Sequence, residues 1–338
     1  MTNQRLFRFH VLTDTHIEEE EGHLYNHHFR LALQDIAEHF PDSACIAHAG
    51  DLTNHGYPGE YRRYAAILAE FQGKLPPLYT VQGNHDVGTI SPQDLKTYLA
   101  SHAGAALAEE AAKLGLQAAH AGLAAIPEEY ADLLPPAYME QGHEAAGTWD
   151  NRIAAFLQAT GQAGPYHHHV IRGAHFIFIG SETNDPLFCE FSEEQLAWLE
   201  RTLDAVPDAK LPIFLFLHQP LLDTVSGSLA HQQWYGVRQD EELKRILSKH
   251  PRVVLFTGHT HWELGSPYTY VPATASSPSM LNCASVAYLW TDEDQRKEGS
   301  QGYVVDVYED RTVVRGRDYR ASDWIDGIEY TIAHQAYK

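Results

Sequence analysis

Residues 7–16 read Phe7-Arg8-Phe9-His10-Val11-Leu12-Thr13-Asp14-Thr15-His16, a strand-length apolar run that ends in Asp-x-His. The layout returns four more times. Residues 44–49 lead into Gly50-Asp51, and residues 78–82 into Gly83-Asn84-His85-Asp86. Residues 213–217 lead into His218, and residues 253–257 into Gly258-His259-Thr260-His261. Near-continuous apolarity is what a strand buried on both faces looks like. Between these runs lie helical stripes. Residues 25–40 carry Phe29, Leu33, Ile36 and Phe40, and residues 60–71 carry Tyr61, Tyr64, Ile67 and Leu68. Residues 192–206 open on Ser192 with Gln195 three places on, a capping-box signature, and residues 240–250 carry Leu243, Ile246 and Leu247. Strands alternating with helices predict α/β architecture, and ligands of such sheets bind at the carboxyl edge of the strands. Five strands here each deliver a metal-capable side chain to that edge.

The inventory of those side chains points to transition metals. A mixed set of histidines, two Asp and one Asn suits Zn, Fe, Mn, Co or Ni better than Mg or Ca. Seven candidate ligands are too many for one tetrahedral ion and fit two ions sharing a carboxylate. Gly50 and Gly258 stand immediately before ligand candidates, where a missing side chain lets the backbone approach a crowded site.

Composition narrows the classes. The chain has 338 residues, 44% hydrophobic and 11% aromatic, with a formal net charge of −21. Such a surface repels nucleic acids and anionic lipid at long range, so neither a nucleic-acid polymer nor a membrane is expected as a partner. A phosphate-bearing substrate needs a local positive centre, which bound metal ions supply. Only 3 cysteines occur, Cys45, Cys189 and Cys283, far apart and odd in number, so no disulfide framework or cysteine zinc site is implied. No signal-like segment opens the chain and no apolar run reaches membrane-span length, so a cytoplasmic protein is expected.

The ordered set Asp14-Thr15-His16, Gly50-Asp51, Gly83-Asn84-His85-Asp86, His218 and Gly258-His259-Thr260-His261 resembles the calcineurin-like metallophosphoesterases. The resemblance covers the chain from Phe7 to about Tyr319, apart from an insertion. It implies a two-sheet β-sandwich flanked by helices, in four layers αββα, which agrees with the α/β reading. It also implies a dinuclear site: Asp14, His16 and His261 on the first ion, Asn84, His218 and His259 on the second, and Asp51 bridging both. His85 would be a catalytic group above the ions. Hydrolysis would proceed by in-line attack of a metal-bridging hydroxide on a small phosphate ester. The ions would be Mn, Fe, Zn or Co. Asn54 takes the place of a second Asp in the protein-phosphatase branch, which weakens a general-acid role for His85; Asn54 and Asp86 would support the site from behind.

The segment Gly50-Asp51-Leu52-Thr53-Asn54-His55-Gly56-Tyr57-Pro58-Gly59-Glu60-Tyr61 is similar to the class III cyclic-nucleotide phosphodiesterases and bacterial glycerophosphodiesterases. His55 stands where the protein phosphatases have an Arg, and Asn54 where the purple acid phosphatases have a Tyr. A phosphodiester is therefore the expected substrate, with His55, Asn84 and His85 contacting it. A phosphomonoesterase or nucleotidase is the alternative, and a non-catalytic metal-binding scaffold the more distant one. Arg152, Arg172 and Arg238 are candidates to reach the site in three dimensions.

Along the chain, residues 1–90 and 165–320 are expected to form the core, and the Ala-rich residues 91–164 a helical insertion or lid. Residues 321–338 would be an extension packed on the core. Residues 166–171 with 174–179, and 302–308 with 312–317, read as hairpins, the late strands suggesting a second sheet. Residues 265–287, rich in Pro, Ser, Thr and Tyr, read as a long surface loop. His167-His168-His169 reads as a solvated strand with alternating faces. Homo-oligomerisation through the insertion stays open.

Overall fold

The computed structural model describes residues 4–88, 149–185, 187–207, 211–232 and 234–334. Most of the expected insertion, residues 91–148, lies outside the described residues. Fourteen strands and six helices are described. The strands are β1 Phe7–Leu12, β2 Cys45–His48, β3 Leu78–Thr80, β4 His167–Ile171, β5 Ala174–Phe178, β6 Ile213–Leu217 and β7 Val253–Thr257. They continue with β8 Tyr270–Val271, β9 Ser279–Asn282, β10 Leu289–Trp290, β11 Arg296–Lys297, β12 Gln301–Val307, β13 Arg311–Asp318 and β14 Asp323–Ala333. The helices are α1 Leu24–His39, α2 Pro58–Glu70, α3 Asn84–Val87, α4 Trp149–Thr160, α5 Glu193–Ala205 and α6 Asp240–Leu247.

Two six-stranded sheets form the middle layers, in the orders β14-β13-β12-β1-β2-β3 and β4-β5-β6-β7-β9-β8. The alternation of β1 explains how they pack. Phe7, Phe9 and Val11 point at the other sheet, where the Phe9 ring lies 5.0 Å from Phe176 and 4.7 Å from Phe214. Leu12 points the opposite way, into a cluster with Phe29, Leu33 and Ile36 of α1 and Tyr61, Tyr64 and Ile67 of α2. On the far face of the second sheet, Leu196, Leu199 and Leu203 of α5 and Leu243, Ile246 and Leu247 of α6 cover Ile213, Leu215 and Val253. The result is the αββα sandwich, with β2, β6, β7 and β9 of the parallel cores buried on both faces.

Three expectations change. The late hairpin β12–β13 belongs to the first sheet, because β12 pairs antiparallel with β1 from Phe7↔Val307 to Val11↔Tyr303. Residues 321–338 are no mere packed extension: within them β14 is the edge strand of that sheet, registered on β13. Residues 265–287 are not a surface loop. They contain β9, wholly buried and parallel to β7, with Leu255↔Met280 and Thr257↔Asn282 in register. Four residues flanked by Pro, Ser and Thr carry too little periodicity to announce a strand.

Local chemistry agrees elsewhere. Ser192 Oγ accepts from Gln195 N at the start of α5, but Gln195 turns to Gly180 rather than completing a capping box. His167 and His169 share one face of β4, 2.9 Å apart, while His168 meets His175 on the other. His10 faces the α1 side of β1, fully buried, with its Nε2 2.9 Å from Ser43 Oγ. Burial, with Arg8 and Arg317 against it and Asp35 and Asp306 for it, lowers its pKa to about 3. The unfolded chain, near 6.5, then binds more protons than the folded one, so stability is complete above pH 6.5 and falls as the pH drops from there toward 3. At pH 5 this one imidazole costs about 2 kcal/mol. The wild type should therefore lose more melting temperature between pH 7 and pH 5 than His10→Asn, by at least about 3 °C. Equal losses in paired thermal melts would refute this.

Candidate metal centre

β1, β2, β3, β6 and β7 all end at one edge of the sandwich, and the residues following them meet there. Asp14, His16 and His261 lie together, as do Asp14, Asp51 and His218, and His16, Asp51 and His85. His261 Nε2 is 3.0 Å from Asp14 Oδ1, and His218 Nε2 is 3.0 Å from Asp51 Oδ2. The Asp51 carboxylate touches both halves, lying 3.8 Å from His16 Nε2 as well. The His218 and His259 ring centroids are 5.3 Å apart. Asn84 opens α3 beside them, its Oδ1 accepting from Gln219 Nε2 at 3.4 Å.

Five of these residues bend the chain into the left-handed region: Asp14 (φ 53°), His16 (44°), Asp51 (54°), His259 (70°) and His261 (59°). Few non-glycine residues adopt that conformation, and such strain gathers at functional sites. The glycines permit the crowding. A Cβ on Gly258 would stand 2.0 Å from Thr13 Oγ1 and 2.5 Å from Asp14 Oδ2. At Gly50, with φ +97°, it would stand 2.7 Å from His218 Nδ1.

The histidines are oriented from behind. His218 Nδ1 donates to Ala49 O at 2.8 Å, His261 Nδ1 to Tyr288 O at 3.1 Å and His16 Nδ1 to Asn54 Oδ1 at 3.0 Å. Each Nδ1–H is thus committed, which leaves Nε2 to face the centre, as in metal-binding imidazoles. His16 Nε2 and His261 Nε2 face each other at 3.0 Å beside Asp14. The Nε2 atom of His259 is buried without a hydrogen-bond partner among the described residues. Converging imidazole nitrogens and carboxylates fit cations.

The electrostatics agree. Burial lowers His16 to about 4 and His259 to about 3, which leaves both neutral. Burial also works against charge on His218, but the Asp51 and Asp14 carboxylates override it and raise that group to about 9. For Asp14 and Asp51, burial is outweighed by the neighbouring imidazoles, led by His261 for Asp14 and His218 for Asp51. Both carboxyls are held below the ordinary range. Asp86 accepts from Leu52 N, Thr53 N, Thr53 Oγ1 and Gly83 N, tying the two loops that carry Asp51 and Asn84. Burial raises its pKa to about 7, against the pull of those donors.

The family model of the calcineurin-like phosphoesterases matches residues 7–263. The chain belongs to that family. A calcineurin-like phosphoesterase is a metal-dependent phosphoric ester hydrolase, and the family generally binds two transition-metal ions. No curated protein sequence matches this phosphoesterase significantly. Among solved structures it resembles a dimetal phosphatase from Danio rerio at 14% identity, covering 98% of this chain and 100% of that one, with a TM-score of 0.56. A purple acid phosphatase from yellow lupin seeds gives 13% identity, 97% and 53% coverage and a TM-score of 0.58. GAP50, the anchor in the inner membrane complex of Plasmodium, gives 14%, 98% and 89%, and 0.52. At such identities the likeness is one of fold. No helix among the described residues is long and apolar enough to cross a membrane.

The remaining sequence candidates find definite places in the phosphoesterase. His85 Nδ1 donates to Asn54 O at 2.6 Å, its ring 4.6 Å from that of His16. His55 Nδ1 bonds Glu60 Oε1 at 2.7 Å, and Glu60 also caps α2 through Tyr57 N, so His55 is held to the α2 cap. Arg152 is buried and donates to His55 O, while Arg238 pairs with Asp185 and Arg172 sits in the β4–β5 turn. Arg296 went unnoticed in the sequence. From β11 it lies 4.6 Å over the Tyr288 ring and donates to the Tyr25 hydroxyl, and Tyr288 packs 4.3 Å from His261. A lone Arg in a polar turn gives no signal of this placement.

Proposed function

We propose that this protein hydrolyses a small phosphodiester at a dinuclear metal centre. The observation that carries the reading is the convergence of four imidazoles (His16, His218, His259 and His261), two carboxylates and Asn84 on one strand edge. Asp14, His16 and His261 would hold one ion, and Asn84, His218 and His259 the other. Asp51 lies between the halves and would bridge them. When bound, the ions activate water near neutral pH and neutralise charge on the phosphoryl oxygens.

The chain's own groups do the rest. His85, anchored through Nδ1 to Asn54 O, would turn Nε2 to the reacting phosphoryl group, where its imidazolium form donates a hydrogen bond or a proton to the leaving oxygen. Its Nδ1 partner is a neutral carbonyl rather than a carboxylate, so the imidazolium gains less support there than a carboxylate would give. His55 rather than an arginine directly follows Asn54, and Arg296, beside the first half, stands behind Tyr288. The scarcity of arginine and lysine at this edge among the described residues suits a diester, which carries less charge than a monoester.

A paired assay tests the reading. Manganese-loaded protein is given bis(p-nitrophenyl) phosphate and p-nitrophenyl phosphate in parallel. The diester should turn over faster, at least about tenfold in kcat/KM, about 1.4 kcal/mol of transition-state preference. A monoester preference would move the assignment to the phosphomonoesterases, and metal-loaded protein inert toward both and toward wider ester panels would favour a scaffold.

A further inference from the structure

The loops after β1 and β2 are zipped together beneath the centre: Ile17 N bonds Leu52 O, and Asn54 N bonds Ile17 O. Asn54 thereby arrives beside Glu18. Its Nδ2 donates to Glu18 Oε1 at 2.6 Å and approaches His55 Nε2 at 3.4 Å, while His55 Nδ1 is committed to Glu60. Both amide protons are thus taken by acceptors, and Oδ1 is left to accept from His16 Nδ1. The amide cannot flip without setting Oδ1 against the Glu18 carboxylate and its protons against the His16 Nδ1–H. Glu18 is itself fixed, because the buried Asn26 of α1 accepts from Glu18 N and donates to Glu18 O. The Asn54 backbone carbonyl meanwhile holds His85.

We propose that Glu18 is a positioning residue for the first metal ion: through the Asn54 amide it fixes the His16 tautomer that presents Nε2 to the centre. The proposal rests on the metal-site reading above. Partners of this kind behind a liganding histidine are worth about 10–100-fold in metal affinity.

The test is calorimetric titration of the full-length, metal-free protein with manganese, together with its melting temperature before metal is added. Glu18→Leu should weaken one of two binding steps by about 10–100-fold. It should leave the other within about twofold and the metal-free melting temperature within about 2 °C. Glu18→Gln, which keeps an acceptor toward Asn54, should restore most of the lost affinity. In an Asn54→Ala background the Glu18→Leu effect should vanish, since both act along one path. Equal weakening of both steps, an unchanged isotherm, or full additivity with Asn54→Ala would each overturn the proposal. Failure of the metal-site reading has a separate signature: Asp51→Asn would then titrate like the wild type.

Discussion

Asp51→Asn should reduce kcat by at least about 10³-fold, roughly 4 kcal/mol of transition-state stabilisation. The size follows from position. Asp51 contacts His218 at 3.0 Å on one side and His16 at 3.8 Å on the other, and its Oδ1 accepts from His85 N at 2.9 Å. One carboxylate therefore touches both halves of the centre and the peptide of the group proposed to face substrate. Asparagine keeps the shape but gives up the charge that balances two cations. The variant should keep the wild-type far-ultraviolet circular dichroism while its manganese stoichiometry falls below two. Turnover within tenfold of wild type, with two ions bound, would refute the bridging role.

Gly83→Ala should have a large structural effect at the centre. A Cβ there would stand 2.1 Å from Asp51 Oδ1 and 2.5 Å from Asp51 N. The second contact is with backbone, so the strand end itself has to move. Gly83 has an ordinary φ of −107°, which makes the penalty steric rather than conformational. Overpacking of this kind costs about 1–3 kcal/mol, and displacing a reacting group by about 1 Å costs about 10²-fold in rate. Gly22→Ala is the matched control, because nothing lies within 4 Å of its Cβ position and its φ is not left-handed. Denaturant melts and kcat on both variants decide the matter: a Gly83→Ala protein as stable and active as Gly22→Ala would contradict the crowding argument.

Much of the sandwich is legible in the chain, for physical reasons. Ile213–Leu217 and Val253–Thr257 are buried on both faces and so are apolar at nearly every position. The ligand candidates follow them directly because the carboxyl ends of parallel strands share an edge. β9 escaped because only four residues of it are needed between β7 and β8, and their neighbours are polar. β14 escaped because an edge strand with a mostly exposed face has no continuous apolar run. The sheet to which β12 and β13 belong depends on the pairing of β12 with β1, nearly 300 residues away in the chain.

The support of the site was the least legible part. Asn54 was read as a weakened partner for His85, yet its side chain serves His16 and only its backbone carbonyl serves His85. That division depends on the angle at which two loops meet, which spacing along the chain does not encode. Glu18 and Arg296 were silent for the same reason: an acidic residue in Glu18-Glu19-Glu20-Glu21 and an Arg in a charged turn look like solvated surface.

The most direct measurement is anomalous diffraction from crystals grown with manganese. Two peaks per chain are predicted, about 3.5–4 Å apart. One should lie against Asp14, His16 and His261, the other against Asn84, His218 and His259, with the Asp51 carboxylate between them. A protein that hydrolyses phosphate esters while its ions lie elsewhere, or that binds none at this edge, would contradict the account.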